Sequence, residues 1–257
     1  MHTFFRIASM ALLVLVLSVA SFAGFINGGF ENGNLNGWTT TGTAGVVTNA
    51  NDIRTNNSLQ MVSYGTYSAR IGDQVAWGYA GPITSSLMQT SVVAAGDDSD
   101  LYFNYAVVAL VPTNGGHGLS ETPYFQVNVT NSHNGTTTSL YSLNRYSGNP
   151  GTIQPGWLPG VNDPNSIYGQ NSPGTWYYFP WTQVHINLAD AGIQIGDELT
   201  VELIVRDCTQ SGHAAYAYLD GFGSTPTPIP SVPEPSSFLL LSGGLGAVIY
   251  GVRRKKS

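Results

Sequence analysis

Apolar and polar residues alternate with a period of two along several stretches of the chain. Phe125, Val127 and Val129 alternate with Gln126, Asn128 and Thr130; Leu199, Val201, Leu203 and Val205 stand against Thr200, Glu202 and Ile204; Val184, Ile186 and Leu188 stand against Gln183, His185 and Asn187. In an extended chain every second side chain points to the same face, so each stretch is a half-buried strand. Residues 87–93, 101–110, 139–143 and 214–219 are further strand candidates, each bounded by Gly, Pro, Asn or Asp. Many short strands with few helix signals bury their apolar faces by packing sheet on sheet, so the expected fold is an all-β sandwich. Residues 24–223 are enough for one such domain with a sizeable core, and no internal repeat divides them.

The two ends are of another kind. Arg6, an apolar run over 7–20 and the small residues Ser21 and Ala23 around Phe22 form a secretory signal-peptide pattern over residues 1–23. An uncleaved anchor is disfavoured because the run is short and broken by Ser9 and Ser18. At the other end a Pro-rich linker, 224–232, leads to Pro233-Glu234-Pro235, an apolar run over 238–252, and Arg253-Arg254-Lys255-Lys256. As a helix that run spans about 22 Å, short of the roughly 30 Å hydrocarbon core, which suits a provisional anchor. Four cations behind it stay on the cytoplasmic side and leave the domain outside.

This tail, residues 233–257, resembles the PEP-CTERM signal recognised by exosortases. The resemblance implies that Pro233, Glu234, Pro235, Arg253 and Arg254 form a sorting motif. It also implies a transient C-terminal transmembrane helix, an exosortase-like membrane protease as partner, and delivery to the cell envelope, outer surface or extracellular matrix of a Gram-negative bacterium. An ordinary tail anchor has no use for Pro-Glu-Pro, and no Leu-Pro-x-Thr-Gly precedes the helix to suggest a sortase signal.

Charge narrows the partners. Residues 24–235 hold all 15 Asp and Glu against four Arg (Arg54, Arg70, Arg145, Arg206) and no Lys, a formal charge of −11. Such a surface repels phosphate backbones, so nucleic-acid binding is not expected. Carboxylates among many Asn, Ser and Gly oxygens suit calcium, although acidity alone also keeps an exported protein soluble. With Cys208 the only cysteine, an intrachain disulfide is impossible.

Asn27-Gly28-Gly29-Phe30-Glu31 with Gly37-Trp38, and the closing Ala217-Tyr218-Leu219-Asp220-Gly221-Phe222, resemble the first and last segments of galactose-binding-like jelly rolls, including carbohydrate-binding modules of that fold. The resemblance implies a jelly-roll β-sandwich whose opening Glu and closing Asp meet across neighbouring first and last strands and hold a structural calcium. Glu31 and Asp220 would be the metal ligands, with Asn27 as a weaker third.

Three further groups bear on chemistry. Asp207-Cys208-Thr209-Gln210-Ser211-Gly212-His213 places an acid, a thiol and an imidazole on one turn. No oxyanion hole or helix start accompanies them, so a structural role is expected, with an intermolecular disulfide through Cys208 as the other option. His117, His133 and His185 form no close-spaced pair for zinc, and Asp97, Asp98 and Asp100 match no complete calcium-loop spacing. Residues 144–176 look like a long Gly-, Pro- and Asn-rich loop carrying Tyr146, Trp157, Tyr168 and Trp176. Aromatic rings on a loop could stack on sugars, or fold inward as a small core. Trp38 is expected in the core, while Trp77 and Tyr79 could lie on either side.

Together these observations point to a non-catalytic exported protein that associates with exopolysaccharide or cell-surface glycan. A structural or adhesive matrix protein that binds protein partners is the alternative. A secreted hydrolase lacks any paired-carboxylate or triad pattern in the sequence.

Overall fold

The computed structural model describes residues 25–74, 84–93, 100–112, 123–131, 135–144, 146–147, 152–153, 155–167, 172–207 and 213–230. Two antiparallel sheets carry the fold. The first contains, in spatial order, β1 (Thr39–Thr41), β4 (Thr84–Val92), β12 (Glu198–Arg206), β6 (Tyr124–Asn131) and β7 (Thr136–Asn144). The second contains β10 (Leu158–Ile167), β11 (Ser172–Asn187), β5 (Asp100–Pro112), β13 (Ala215–Gly223), β3 (Tyr67–Gly72) and β2 (Ala44–Thr48). Two short strands, β8 (Tyr146–Ser147) and β9 (Thr152–Ile153), pair with each other, and a 3-10 turn covers Ile53–Thr55.

The alternating stretches build the core between the sheets. Phe125, Val127 and Val129 of β6 and Leu199, Val201, Leu203 and Val205 of β12 are buried together with Leu101, Phe103, Tyr105 and Val107 of β5 and Ala215, Ala217 and Leu219 of β13. Their polar neighbours Gln126, Asn128, Thr130, Thr200 and Glu202 are partly exposed on the far face of the first sheet. The first sheet is thus a half-buried antiparallel sheet with one solvated face.

The second sheet differs because both of its faces are covered. Opposite the main core, Ala106, Val108 and Leu110 of β5, Tyr216 and Tyr218 of β13, and Trp176, Tyr178 and Trp181 of β11 form a second apolar cluster with Leu59. The chain between β2 and β3 closes over it. That cover is held by Asp52 N donating to Leu59 O at 2.8 Å, Met61 N to Ala50 O at 2.8 Å, and the Trp181 indole N–H to Gln60 O at 2.7 Å. Eight of the nine residues of β13 are consequently buried.

The stretch 144–176 is not one long loop: it contains β10 and the start of β11. Pro159, Gly160 and Pro164 look like loop residues, yet β10 is an edge strand with register shifts, where a missing N–H breaks no inner ladder bond. In β11, Trp176 and Tyr178 turn to the second cluster while Tyr177 and Phe179 pack on the main core. Strands β1, β2 and β3 have no clear alternation in sequence and take their place from pairing, β1 with β4, β3 with β13 and β2 with β3.

Facing predicts response to truncation. Leu203→Ala in the main core is expected to cost about 2–5 kcal/mol in urea unfolding. Thr200→Ala, on the solvated face of the same strand, should change stability by no more than about 0.5 kcal/mol. Equal costs for the two would contradict the assigned facing of β12.

Candidate functional site

The opening turn is locked against the end of the last strand. Asn27 and Phe30 both adopt left-handed backbone, with φ of 56° and 57°. This folds Phe30 into the core beside Trp38, at a ring separation of 5.6 Å. Trp38 meets Phe222 edge-on at 5.2 Å, and Phe222 N donates to Gly28 O at 3.0 Å. Gly28 lacks the Cβ that would overlap Phe222, which permits the close approach. The turn therefore holds Glu31 at the same end of the fold as Asp220.

Two carboxylates clasp one backbone segment. Glu31 accepts from Thr66 N at 3.1 Å and Tyr67 N at 3.2 Å. Asp220 Oδ2 accepts from Ser63 N at 3.2 Å and Tyr64 N at 2.9 Å, while its Oδ1 accepts from Gly221 N at 2.7 Å. Gly65 lies between the two contacts, with φ of 76°, and a Cβ there would overlap the Glu31 carboxylate. Burial raises the Asp220 carboxyl to about 7; its N–H donors pull the other way, and the Glu31 charge adds to the rise. Desolvation thus outweighs the three N–H donors and favours the protonated form of this carboxyl.

Of the expected metal ligands, the structure brings Glu31 and Asp220 within electrostatic reach, through the segment 63–67 rather than across neighbouring first and last strands. Asn27 is engaged in its own loop, where its amide donates to Asn34 O at 2.8 Å. Oxygen donors suit a hard cation such as calcium. Among the described residues no group of three or more His, Cys, Asp or Glu converges, so carbonyl and hydroxyl oxygens would have to complete the shell.

The aromatic residues expected to contact glycan are placed differently. Trp157 packs edge-on against Phe179 at 5.8 Å, and Trp176 lies against Tyr216 at 5.9 Å with the Arg54 guanidinium 5.1 Å over its ring. With exposures of 8% and 1%, neither offers a face on which a sugar ring could stack. The inward-packed alternative holds for both: Trp157 joins the main core between the sheets, and Trp176 joins the cluster under the covered face of the second sheet. Tyr146 lies on β8, and Tyr168 falls outside the described residues, as do Trp77 and Tyr79. Trp38 is in the core, as expected.

Sequence reasoning missed the main polar cluster of the second face. Asp52 is buried and its Oδ2 accepts from the hydroxyls of Tyr216 at 2.6 Å and Tyr218 at 2.8 Å, while Oδ1 accepts from Arg54 N at 2.8 Å. Burial, reinforced by the Asp52 charge, raises both tyrosine hydroxyls far above their ordinary range, so they act as permanent donors. The Tyr-x-Tyr pattern in β13 was the available signal: two tyrosines on one strand face need a shared acceptor.

The remaining singled-out groups are surface or turn elements. Asp207 accepts from Ala215 N at 2.9 Å and burial raises its carboxyl to about 7; His213 is buried, and Cys208 lies outside the described residues. His185 is half exposed, bonded to Asp100 Oδ1 at 2.7 Å and stacked on Tyr102 at 4.5 Å. His117, His133, Asp97 and Asp98 fall outside the described residues.

A model of the PEP-CTERM protein-sorting motif matches residues 231–255. This motif marks proteins that are exported and sorted to the cell envelope or outer surface of Gram-negative bacteria, and it places the chain among them. The Pro-Glu-Pro and basic-tail expectation is thereby met, although these residues lie outside the described ones. No curated protein matches the chain. Among solved structures it is similar to carbohydrate-binding modules of the beta-sandwich superfamily (13% identity, TM-score 0.33, covering 76% of this chain and 59% of that one). It is also similar to a carbohydrate-binding module specific for non-crystalline cellulose, CBM28 (14%, 0.36, 77% and 92%). A third is the enzymatically active domain of bacteriophage CBA120 tailspike protein 4 (12%, 0.33, 77% and 21%). The chain spans less than two thirds of the first and third of these, and at such scores the likeness fixes no ligand.

The two raised carboxyls set a pH dependence. Between about pH 4 and 7 Asp207 and Asp220 hold protons in the folded chain and have lost them in the unfolded one, so stability falls as pH rises through that window. In chelator, the melting temperature is expected to drop from about pH 5.5 to about pH 8, and Asp220→Asn should flatten the drop. A melting temperature that climbs across this range in the parent would contradict the burial of both groups.

Proposed function

We propose that this exported chain, sorted to the envelope by its C-terminal motif, is a non-catalytic protein that associates with exopolysaccharide after processing by an exosortase-type membrane protease. The motif at 231–255 carries the location. The solvated face of the first sheet supports the partner. Thr90, Thr200, Thr130 and Thr137 lie in register across β4, β12, β6 and β7, with hydroxyl contacts of 2.8 Å between Thr90 and Thr200 and 2.9 Å between Thr130 and Thr137. The Gln126 amide donates to Asn128 Oδ1 at 2.8 Å on the same face. Hydroxyls and amides on a broad sheet exchange hydrogen bonds with sugar hydroxyls without requiring an aromatic platform.

The test is cosedimentation of the processed domain with exopolysaccharide from the producing cells. Retention by the parent and loss on Thr130→Glu/Thr200→Glu, with an unchanged melting temperature, is the expected outcome. Retention by neither protein favours the adhesive reading, in which the partner is a protein.

Calcium at Glu31 and Asp220 belongs to the same proposal. Bound there, the ion would supply the counter-charge that burial of Asp220 calls for and tie the opening turn to β13. Millimolar calcium is expected to raise the melting temperature by several degrees over chelator, and Glu31→Gln/Asp220→Asn should abolish the gain. Identical melts in calcium and chelator would remove the ion from the account.

A further inference from the structure

We propose that residues 224–230 are a docked strap whose release sets the rate at which the sorting motif is processed; this rests on the sorting reading above. The segment looks like a free linker, since Pro226, Pro228 and Pro230 cannot enter a strand ladder. It nevertheless lies on the outer face of the second sheet. The Asn104 amide donates to Thr227 Oγ1 at 2.9 Å, and the Gln183 amide donates to Thr227 O at 2.8 Å. Weaker contacts join Pro228 O to Ser63 Oγ at 3.4 Å and to the Asn104 amide at 3.5 Å. Gly221, with φ of 64°, leaves the space that Thr227 fills, and a Cβ there would collide with it.

The receiving side chains are fixed. Asn104 is fully buried and is braced by Gln183 Nε2, which donates to Asn104 Oδ1 at 3.1 Å. The prolines explain why the segment binds by accepting: without N–H groups at alternate positions it presents carbonyls and the Thr227 hydroxyl to the sheet, which answers with two amide donors. The strap itself is only partly buried at Thr227 and exposed at Pro228 and Ile229. Few contacts and an exposed outer side place it at the low-stability end of the fold, where opening is frequent.

Geometry links the strap to processing. From Pro228 to Pro233 there are five residues, at most about 18 Å of extended chain. A protease commonly grips its substrate as an extended segment on both sides of the scissile bond. With Thr227 and Pro228 docked, four residues, Ile229 to Val232, separate the folded domain from the motif. Undocking frees 224–228 and roughly doubles that reach. The processing step breaks one peptide bond: the acyl carbon passes to water or to an acceptor amine, and the new amino terminus takes the proton. The strap changes only how often that bond is presented.

The full-length chain is expressed in cells that carry the processing protease, and intact mass after a pulse follows the cleaved fraction with time. Thr227→Gly removes the hydroxyl contact and loosens the carbonyl contact, so processing should accelerate by about tenfold, the factor expected for one neutral hydrogen bond lost and a second weakened. Eight Gly-Ser residues inserted after Pro230 supply reach while leaving the strap docked. They should accelerate processing alone, and Thr227→Gly should then add nothing. Melting of the isolated variants checks that the sandwich is intact. Equal rates for parent and Thr227→Gly, or a full additional gain in the inserted chain, overturn the strap while the sorting reading stands. A parent that is never cleaved overturns both.

Discussion

The structure depends on β13 being buried on both of its faces. Ala215, Ala217 and Leu219 look into the core between the sheets, and Tyr216, Tyr218 and Asp220 look the other way, yet all six are inaccessible to solvent. Polar groups in that position require partners. The two tyrosine hydroxyls meet Asp52, and the Asp220 carboxylate meets the backbone of Ser63, Tyr64 and Gly221. The path of the chain from Asp52 to Tyr64 follows from these requirements together with the packing of Leu59 and the Trp181 indole on Gln60.

This arrangement decides what the molecule presents. Among the described residues Trp38 and Trp157 are spent in the main core, and Trp176, Trp181, Tyr178, Tyr216 and Tyr218 under the cover, where each large ring removes apolar area from water. Hydroxyls and amides on the first sheet are left outside, with carboxylates spread over an acidic surface. The described surface of the first sheet therefore offers mainly hydrogen-bonding groups to its surroundings. The same covered face also receives the chain as it leaves the domain, so the fold extends to within a few residues of the sorting motif.

Much of this was legible in the sequence where a residue's neighbours along the chain decide its place. Alternation exposed β6 and β12 because one face of their sheet is wet, and the Pro-Glu-Pro, apolar run and basic tail were readable because each is contiguous. Legibility failed where placement depends on segments distant in sequence. The strand β10 was hidden by prolines that an edge tolerates, and the sequence left open whether Trp157 and Trp176 face out or in, because nothing local reveals that Trp157 meets Phe179 in the main core or that residues around Asp52 cover Trp176. The Glu31 and Asp220 juxtaposition was accessible only through resemblance, and the route by which they meet, through residues 63–67, was not.

Native-state hydrogen exchange of the β13 amides tests the two-sided burial most directly. Tyr216, Ala217, Tyr218 and Leu219 are predicted to exchange only through global unfolding, more slowly than the amides of the edge strands β2 and β10. Exchange of these four at the rate of an edge strand, with the domain otherwise folded, would show that the cover over the second sheet is not closed and would contradict the account.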